Sequence, residues 1–357
     1  MRLHSLCGAA LALFASATTA EFTDPLEAPA IETTLAAQDV TNALARAGER
    51  IVAAGNRGHV LVSDDAGTTW RQARVPLSSD LTALSFPDAH NGWAVGHDGV
   101  VLATRDGGSS WTRQLDGRVI GPLLGNYYAD PATPGLDDAA RVRFQDDAQR
   151  IADEGPDKPF LDVWFEDAQH GFAVGAFNLI LETTDGGTRW TPWLHRTDNP
   201  RNLHLYAIRP AGGTLYIAGE QGLLLRLDRA ANRFRAVELP YRGTLFGVTG
   251  DAAGVTVFGL RGNAWRSADG LTAWTRIDTQ VEVSLTAAAV DARGRTLLAS
   301  QTGHLLALGA EGAATALQLE DRVPASAVLA LPDGKFVIGG AAGLRRLQPA
   351  RAQEVWP

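Results

Sequence analysis

The chain has 357 residues, 45% of them hydrophobic and 20% charged, with a formal charge of −8. This is globular composition; the acidic balance leaves no general footprint for nucleic acid, and nothing after residue 20 is apolar for long enough to span a bilayer. Cys7, the only cysteine, falls in the first twenty residues, so the rest of the chain offers neither disulfide nor cysteine chemistry.

The N-terminus reads as a secretory signal peptide. Arg2 gives a short positive region, Leu6 to Phe14 an apolar run, and Ser16 to Ala20 small residues. Cleavage is expected after Ala20 or Ala17, which places the mature protein in the periplasm or outside the cell. Residues 21–357 then form one domain. Ala30-Ile31-Glu32-Thr33-Thr34 is expected to be a short strand that pairs with the last repeat and locks the fold.

From residue 55 onward a unit repeats. Its first position falls at 55, 96, 175, 219, 259, 300 and 340, in steps of about 41 residues with one step of 79. Each copy opens with a Gly-x-x-Gly-like hairpin. Four copies continue into a Ser/Thr-x-Asp-x-Gly-x-x-Trp box, or a variant of it. The boxes are Ser63, Asp65, Gly67 and Trp70; Thr104, Asp106, Gly108 and Trp111; Thr183, Asp185, Gly187 and Trp190; and Ser267, Asp269 and Trp274. Phe234 takes the tryptophan slot in the fourth copy.

Within a copy, short apolar runs alternate with turn signals. Leu81 to Phe86, Gly92 to Val95, Val100 to Thr104 and Thr112 to Leu115 are separated by Pro87-Asp88, Asp98-Gly99 and Gly107-Gly108. Four antiparallel strands per forty residues predict an all-β, seven-bladed β-propeller, with Asp-box hairpins between third and fourth strands. The long step places an insertion, about residues 116–158, between blades two and three. Asp137-Asp138 predicts a helix through Asp153 with Ala140, Phe144, Ala148 and Ile151 on one stripe.

The boxes read as structural. The hydroxyl and carboxylate suit the backbone N–H groups of a tight hairpin, glycine takes the positive φ, and tryptophan packs between blades. The hairpins between second and third strands share the opposite face with the blade connections and the insertion. Their middle residues supply the candidate binding ring: Arg57, His97, Asp98, Glu220, Gln221, Arg261 and Gln301. No catalytic residue, metal cluster or cofactor motif stands out; the histidines are scattered singly over different repeats.

The boxes, the Gly-x-x-Gly hairpins, and the stretches Gly92 to Gly96, Phe160 to Phe165 and Gly259 to Gly262 resemble the photosystem II stability/assembly factor family. The likeness is closer to its non-photosynthetic bacterial branch and covers roughly residues 24–347. It implies a seven-bladed propeller that acts as a non-enzymatic periplasmic scaffold, monomeric alone, holding a membrane-protein client. In the bacterial branch the implied client is an exporter of the RND type. The alternative is a sialidase-like glycoside hydrolase, since Asp-boxes also occur there. That chemistry needs paired carboxylates or a tyrosine with a carboxylate. The nearest match to its arginine motif, Ile208-Arg209-Pro210, is in the wrong order, and Tyr206 and Tyr216 read as packing residues.

Overall fold

The computed structural model describes residues 23–309 and 312–350; the expected signal peptide lies outside them. The repeats become seven antiparallel sheets, spanning residues 41–72, 81–115, 160–192, 205–236, 245–277, 285–317 and 327–347. Six have four strands, hydrogen-bonded in chain order, and the seventh has three. The first strand of each sheet packs against the first strand of the next. Thr41–Ala47 meets Ala327–Ala330, so the ring closes in a β-propeller architecture.

Burial follows position in the sheet. Second strands such as Gly92–Gly96 and Gly171–Gly175 are buried along their whole length, because neighbouring sheets cover both faces. They read as continuous apolar runs for the same reason. Fourth strands such as Thr112–Leu115 lie at the rim and are largely exposed.

The hairpins between third and fourth strands are held from within. Ser63 Oγ accepts from Gly67 N at 2.8 Å, and Asp65 Oδ1 accepts from Thr68 N and Thr69 N at 3.0 and 2.8 Å. Hydrogen bonds from Thr69, side chain first and then backbone, keep the Asp65 carboxyl down at about 2. Thr104 with Asp106 and Thr183 with Asp185 repeat the pattern. The tryptophans point into the seams between sheets. Trp111 is 4% exposed in a core shared with Val52 and Val62 of the first sheet, and its Nε1 donates to Gly108 O at 3.1 Å. Phe234, in the tryptophan slot of the fourth copy, is fully buried.

Two features depart from expectation. Ala30 to Thr34 forms no strand and does not pair with the seventh sheet. Ala30 N donates to Val75 O, and the Gln72 amide bonds both Ile31 O and Thr33 N, so the first sheet's rim already satisfies this backbone. The segment that reaches the seventh sheet is the short 3-10 turn Ala36–Gln38, where Ala36 shares a core with Val337 and Leu344.

The insertion holds two helices where one was expected. The foreseen helix, Asp138–Glu154, is capped by Asp137 and buries Phe144, Ala148 and Ile151. Before it lies Gly117–Ala129, capped by Asp116. Gly117, Gly121, Gly125 and Pro122 make it a poor helix by intrinsic propensity. Glycine at every fourth position instead gives a flat side that fits the second helix; a Cβ at Gly121 would collide with Ala152 Cα. Packing forms this helix, not propensity.

Trp111→Ala should lower the unfolding free energy by about 3–5 kcal/mol, the usual cost of emptying a large buried aromatic site. Urea unfolding followed by far-UV circular dichroism measures it. A loss below about 1 kcal/mol would mean that the seam does not rest on this side chain.

Candidate binding face

Five sheets build the hairpin between second and third strands in one conformation. The turns are Asn56–Gly58, His97–Gly99, Ala176–Asn178, Glu220–Gly222 and Leu260–Gly262, each a single 3-10 turn. A glycine precedes each because the carbonyl of the residue before that sheet's first strand stands where a Cβ would be, as Val40 O does at Gly55. The same carbonyl accepts the next N–H, from Asn56, His97, Ala176, Glu220 or Leu260. The middle residue is then left-handed without being glycine: Arg57, Asp98, Phe177, Gln221 and Arg261 have φ of 53–56°. The sixth hairpin has Ser300 in the glycine slot; Gln301 N still donates to Ser284 O, and the Ser300 Oγ accepts from Thr302 N and His304 N.

The candidate residues divide by what their side chains do. Arg57, His97, Gln221, Arg261 and Gln301 are exposed. Among the described residues, the guanidinium groups of Arg57 and Arg261 have no hydrogen-bond or ion-pair partner. Asp98 accepts from the Ser79 hydroxyl at 2.5 Å, Glu220 accepts from His204 N at 2.8 Å, and Gln221 accepts from Arg201 at 2.7 Å. Arg57 and Arg261 belong to the first and fifth sheets, so they are not neighbours on the ring.

The axial channel, a cavity of about 450 Å³, is lined by first-strand residues that were not among the candidates for the binding face. Six first strands carry a β-bulge at their second residue: Asn42, Thr82, Leu161, Tyr206, Phe246 and Thr286. A bulge re-aims its side chain, here into the channel. Polar bulge residues latch one sheet to the next: Asn42 Nδ2 donates to Leu81 O, Thr82 Oγ1 to Phe160 O, and Thr286 Oγ1 to Ala325 O. Leu161, Tyr206 and Phe246, on three consecutive sheets, make no such latch. Tyr206, expected as a packing residue, is instead half-buried at the mouth. Tyr216 does pack as expected, 1% exposed with its hydroxyl on Gly270 O. Phe177, 52% exposed, continues the row from a hairpin tip. It was visible as the aromatic residue at a position that is polar in the four sister hairpins.

The helical pair sits beside this face. Gly117 and Ile120 pack under the His97–Gly99 turn, and Tyr128 reaches the third sheet, where its hydroxyl lies 3.2 Å from His195 Nδ1. Arg196 Nε donates to His195 Nε2 at 3.2 Å, so the neutral ring keeps its proton on Nδ1, toward Tyr128. Burial holds His195 down at about 4, and the Arg196 and Arg233 charges add to that.

A closed ring of antiparallel sheets with an axial channel and exposed hairpin side chains defines a β-propeller architecture. The family described as "Photosynthesis system II assembly factor YCF48" matches residues 68–119 and 148–318, more than half of the chain, and the chain belongs to that family. One relative, a photosystem II assembly lipoprotein Ycf48 from Synechococcus, is 42% identical over 65 residues, 18% of this chain and 20% of that protein. The matched segments thus span about a fifth or less of the relatives' length. Among solved structures, a YCF48 bound to D1 peptide aligns with TM-score 0.61 at 15% identity, covering 88% of this chain and 94% of that one. The WD40 propeller domain of Doa1 aligns with TM-score 0.60 at 9% identity, over 93% and 99%. These two likenesses are of fold.

His195 should make the stability of the wild type depend on pH. Its folded value lies below the ~6.5 of an unfolded chain, so the unfolded state takes up the proton first as pH falls. Its contribution is complete above about pH 6.5 and is lost as pH falls toward 4. Between pH 7 and about pH 4.5 the wild type should lose roughly 2–3 kcal/mol more than His195→Gln, read from urea unfolding at both values. Equal losses would mean that His195 does not titrate in that window.

Proposed function

We propose that this chain is an exported, non-enzymatic scaffold whose hairpin face holds a membrane-protein client during assembly. One observation carries the reading. Five hairpins keep a non-glycine residue in the left-handed region, which costs ~1 kcal/mol or more at each position. Among the described residues, nothing bonds the Arg57 and Arg261 guanidinium groups held out in this way. Residues retained at such positions and turned toward one face are better explained by a partner than by the ring itself. We read each of the seven sheets as one blade and the Ser63, Thr104, Thr183 and Ser267 hairpins as its staples. On this reading Arg57, His97, Asp98, Glu220, Gln221, Arg261 and Gln301 form the contact ring, and the insertion's helices flank it.

The names of two similar proteins support the reading. The Synechococcus relative is called a lipoprotein, which agrees with export by the N-terminal signal, and a solved fold neighbour carries a D1 peptide. An RND-type exporter is the client that the bacterial branch of the family suggests. Arginine suits the face because its planar fork binds carboxylates in pairs of hydrogen bonds.

The double variant Arg57→Glu with Arg261→Glu should keep its melting temperature, since exposed substitutions cost within about 0.5 kcal/mol. It should lose the membrane protein that co-purifies with the wild type from solubilised membranes and is identified by mass spectrometry. Retained co-purification would count against the face. Robust hydrolysis of sialosides or other common glycosides by the wild type would overturn the scaffold reading in favour of the enzyme.

A further inference from the structure

We propose that the hairpin face takes an extended peptide by one apolar side chain, seated on the row Phe177, Tyr206 and Phe246, with carboxylates next to that anchor. The inference rests on the scaffold reading and narrows its partner to a stated chemistry.

The row is continuous. The Phe177 and His204 rings lie 4.5 Å apart, His204 and Tyr206 6.3 Å, and Tyr206 and Phe246 5.5 Å edge to face. It runs from a hairpin tip on the third sheet to the channel mouth at the fifth. Its members are exposed or half-buried, although two of them stand at bulges that turn side chains inward. Phe177 is the sharpest case. A bulky aromatic is a poor choice for a left-handed φ of 53°, and half of its surface meets solvent. Its N–H donates to His204 Nδ1 at 2.8 Å, so the tip is held in place while the ring stays open. Aromatic side chains pre-set in this way are the residue type that anchors interfaces.

At the Phe177 end Lys158 stands over the ring, 5.6 Å from its centroid, and is paired with Glu154 and Asp157, whereas the charge beside Tyr206 and Phe246 favours carboxylates. Arg201 bonds the neutral Gln221 amide, and Arg242 and Arg261 have no ion-pair partner among the described residues. Glu220, the carboxylate that acts on Tyr206, already accepts from His204 N. A locally positive arc stands out on a chain with a formal charge of −8. An extended peptide brings an apolar side chain and carboxylates together in one strand-like segment.

A displayed library of random ten-residue peptides, selected on the full chain, tests this. Winners should carry an aromatic or branched apolar residue with Asp or Glu within about three positions. A synthetic winner should bind Phe177→Asn at least tenfold more weakly by fluorescence anisotropy. The melting temperature should stay level or rise, because asparagine tolerates the left-handed region better than phenylalanine. Arg261→Gln, which places there the residue type that the neighbouring hairpin holds at Gln221, should weaken the acidic winners severalfold. No enrichment, basic winners, or equal affinity for Phe177→Asn would overturn the proposal. Co-purification of the membrane client with wild type and Phe177→Asn alike would overturn it while leaving the scaffold reading intact. Winners that depend on Phe177 would support it even if the Arg57/Arg261 variant kept its client, which would defeat the scaffold reading alone.

Discussion

One steric constraint recurs around the ring. In five sheets the carbonyl oxygen of the residue before the first strand occupies the space of a missing Cβ at the end of the second strand, at Gly55, Gly96, Gly175, Gly219 and Gly259; at Gly340 the oxygen is that of Pro324, three residues before the seventh sheet's first strand. In five of these sheets the same oxygen also accepts the first N–H of the hairpin. The two strands are thereby pinned at one end, and the register slips by one residue just beyond, which produces the bulge. The left-handed hairpin residue goes with the close approach at glycine, and the inward-facing bulge residue goes with the pinning hydrogen bond. In the sixth sheet, with Ser300 in the glycine slot, the bond from Gln301 N to Ser284 O and the bulge at Thr286 persist, but the 3-10 turn is absent.

A frame fixed by backbone leaves its presented side chains free to vary, and the variation is not random around the ring. The first, second and sixth sheets place Asn42, Thr82 and Thr286 at the bulge and use them to tie neighbouring sheets together. The third, fourth and fifth place Leu161, Tyr206 and Phe246 there and forgo the tie. Part of the missing cohesion on that side comes from the deep core. Phe172 and Phe234 meet edge to face at 5.7 Å across the seam between the third and fourth sheets, where Asp162 also accepts from Ile208 N, and the insertion's helices extend the same core outward. The ring is thus more polar at one side of its mouth and more aromatic at the other, and a partner that meets the face meets that asymmetry.

Much of this was readable from residues. The spacing of glycine hairpins and Asp-containing boxes gave the repeating sheets, because each motif makes its bonds within a few residues: Asp65 to Thr68 and Thr69, for instance. The helix Asp138–Glu154 was readable because its cap, stripe and terminating Gly155 are all local signals. What escaped depends on contacts distant in the chain. Gly117–Ala129 is a helix because Gly121 and Gly125 meet the Ala148–Ala152 side of its partner. The leader lies along the first sheet because Gln72, about forty residues later, bonds its backbone. Tyr206 sits in an ordinary alternating strand pattern, and only the bulge, a feature of pairing, turns it to the channel. Phe177 could have been found, as the aromatic exception in a polar set of hairpin tips.

The central claim is that one end of the ring does the binding. Antiparallel alternation puts Phe177 and Gln221 at one end and Thr68 and Thr188, in the box hairpins, at the other; all four are exposed. A photo-crosslinking amino acid placed at each position in turn, with irradiation in the presence of native membranes, reads out which end is covered. The account predicts one discrete adduct to a membrane protein from positions 177 and 221 and none from 68 and 188. Adducts from 68 and 188 with none from 177 and 221 would contradict it.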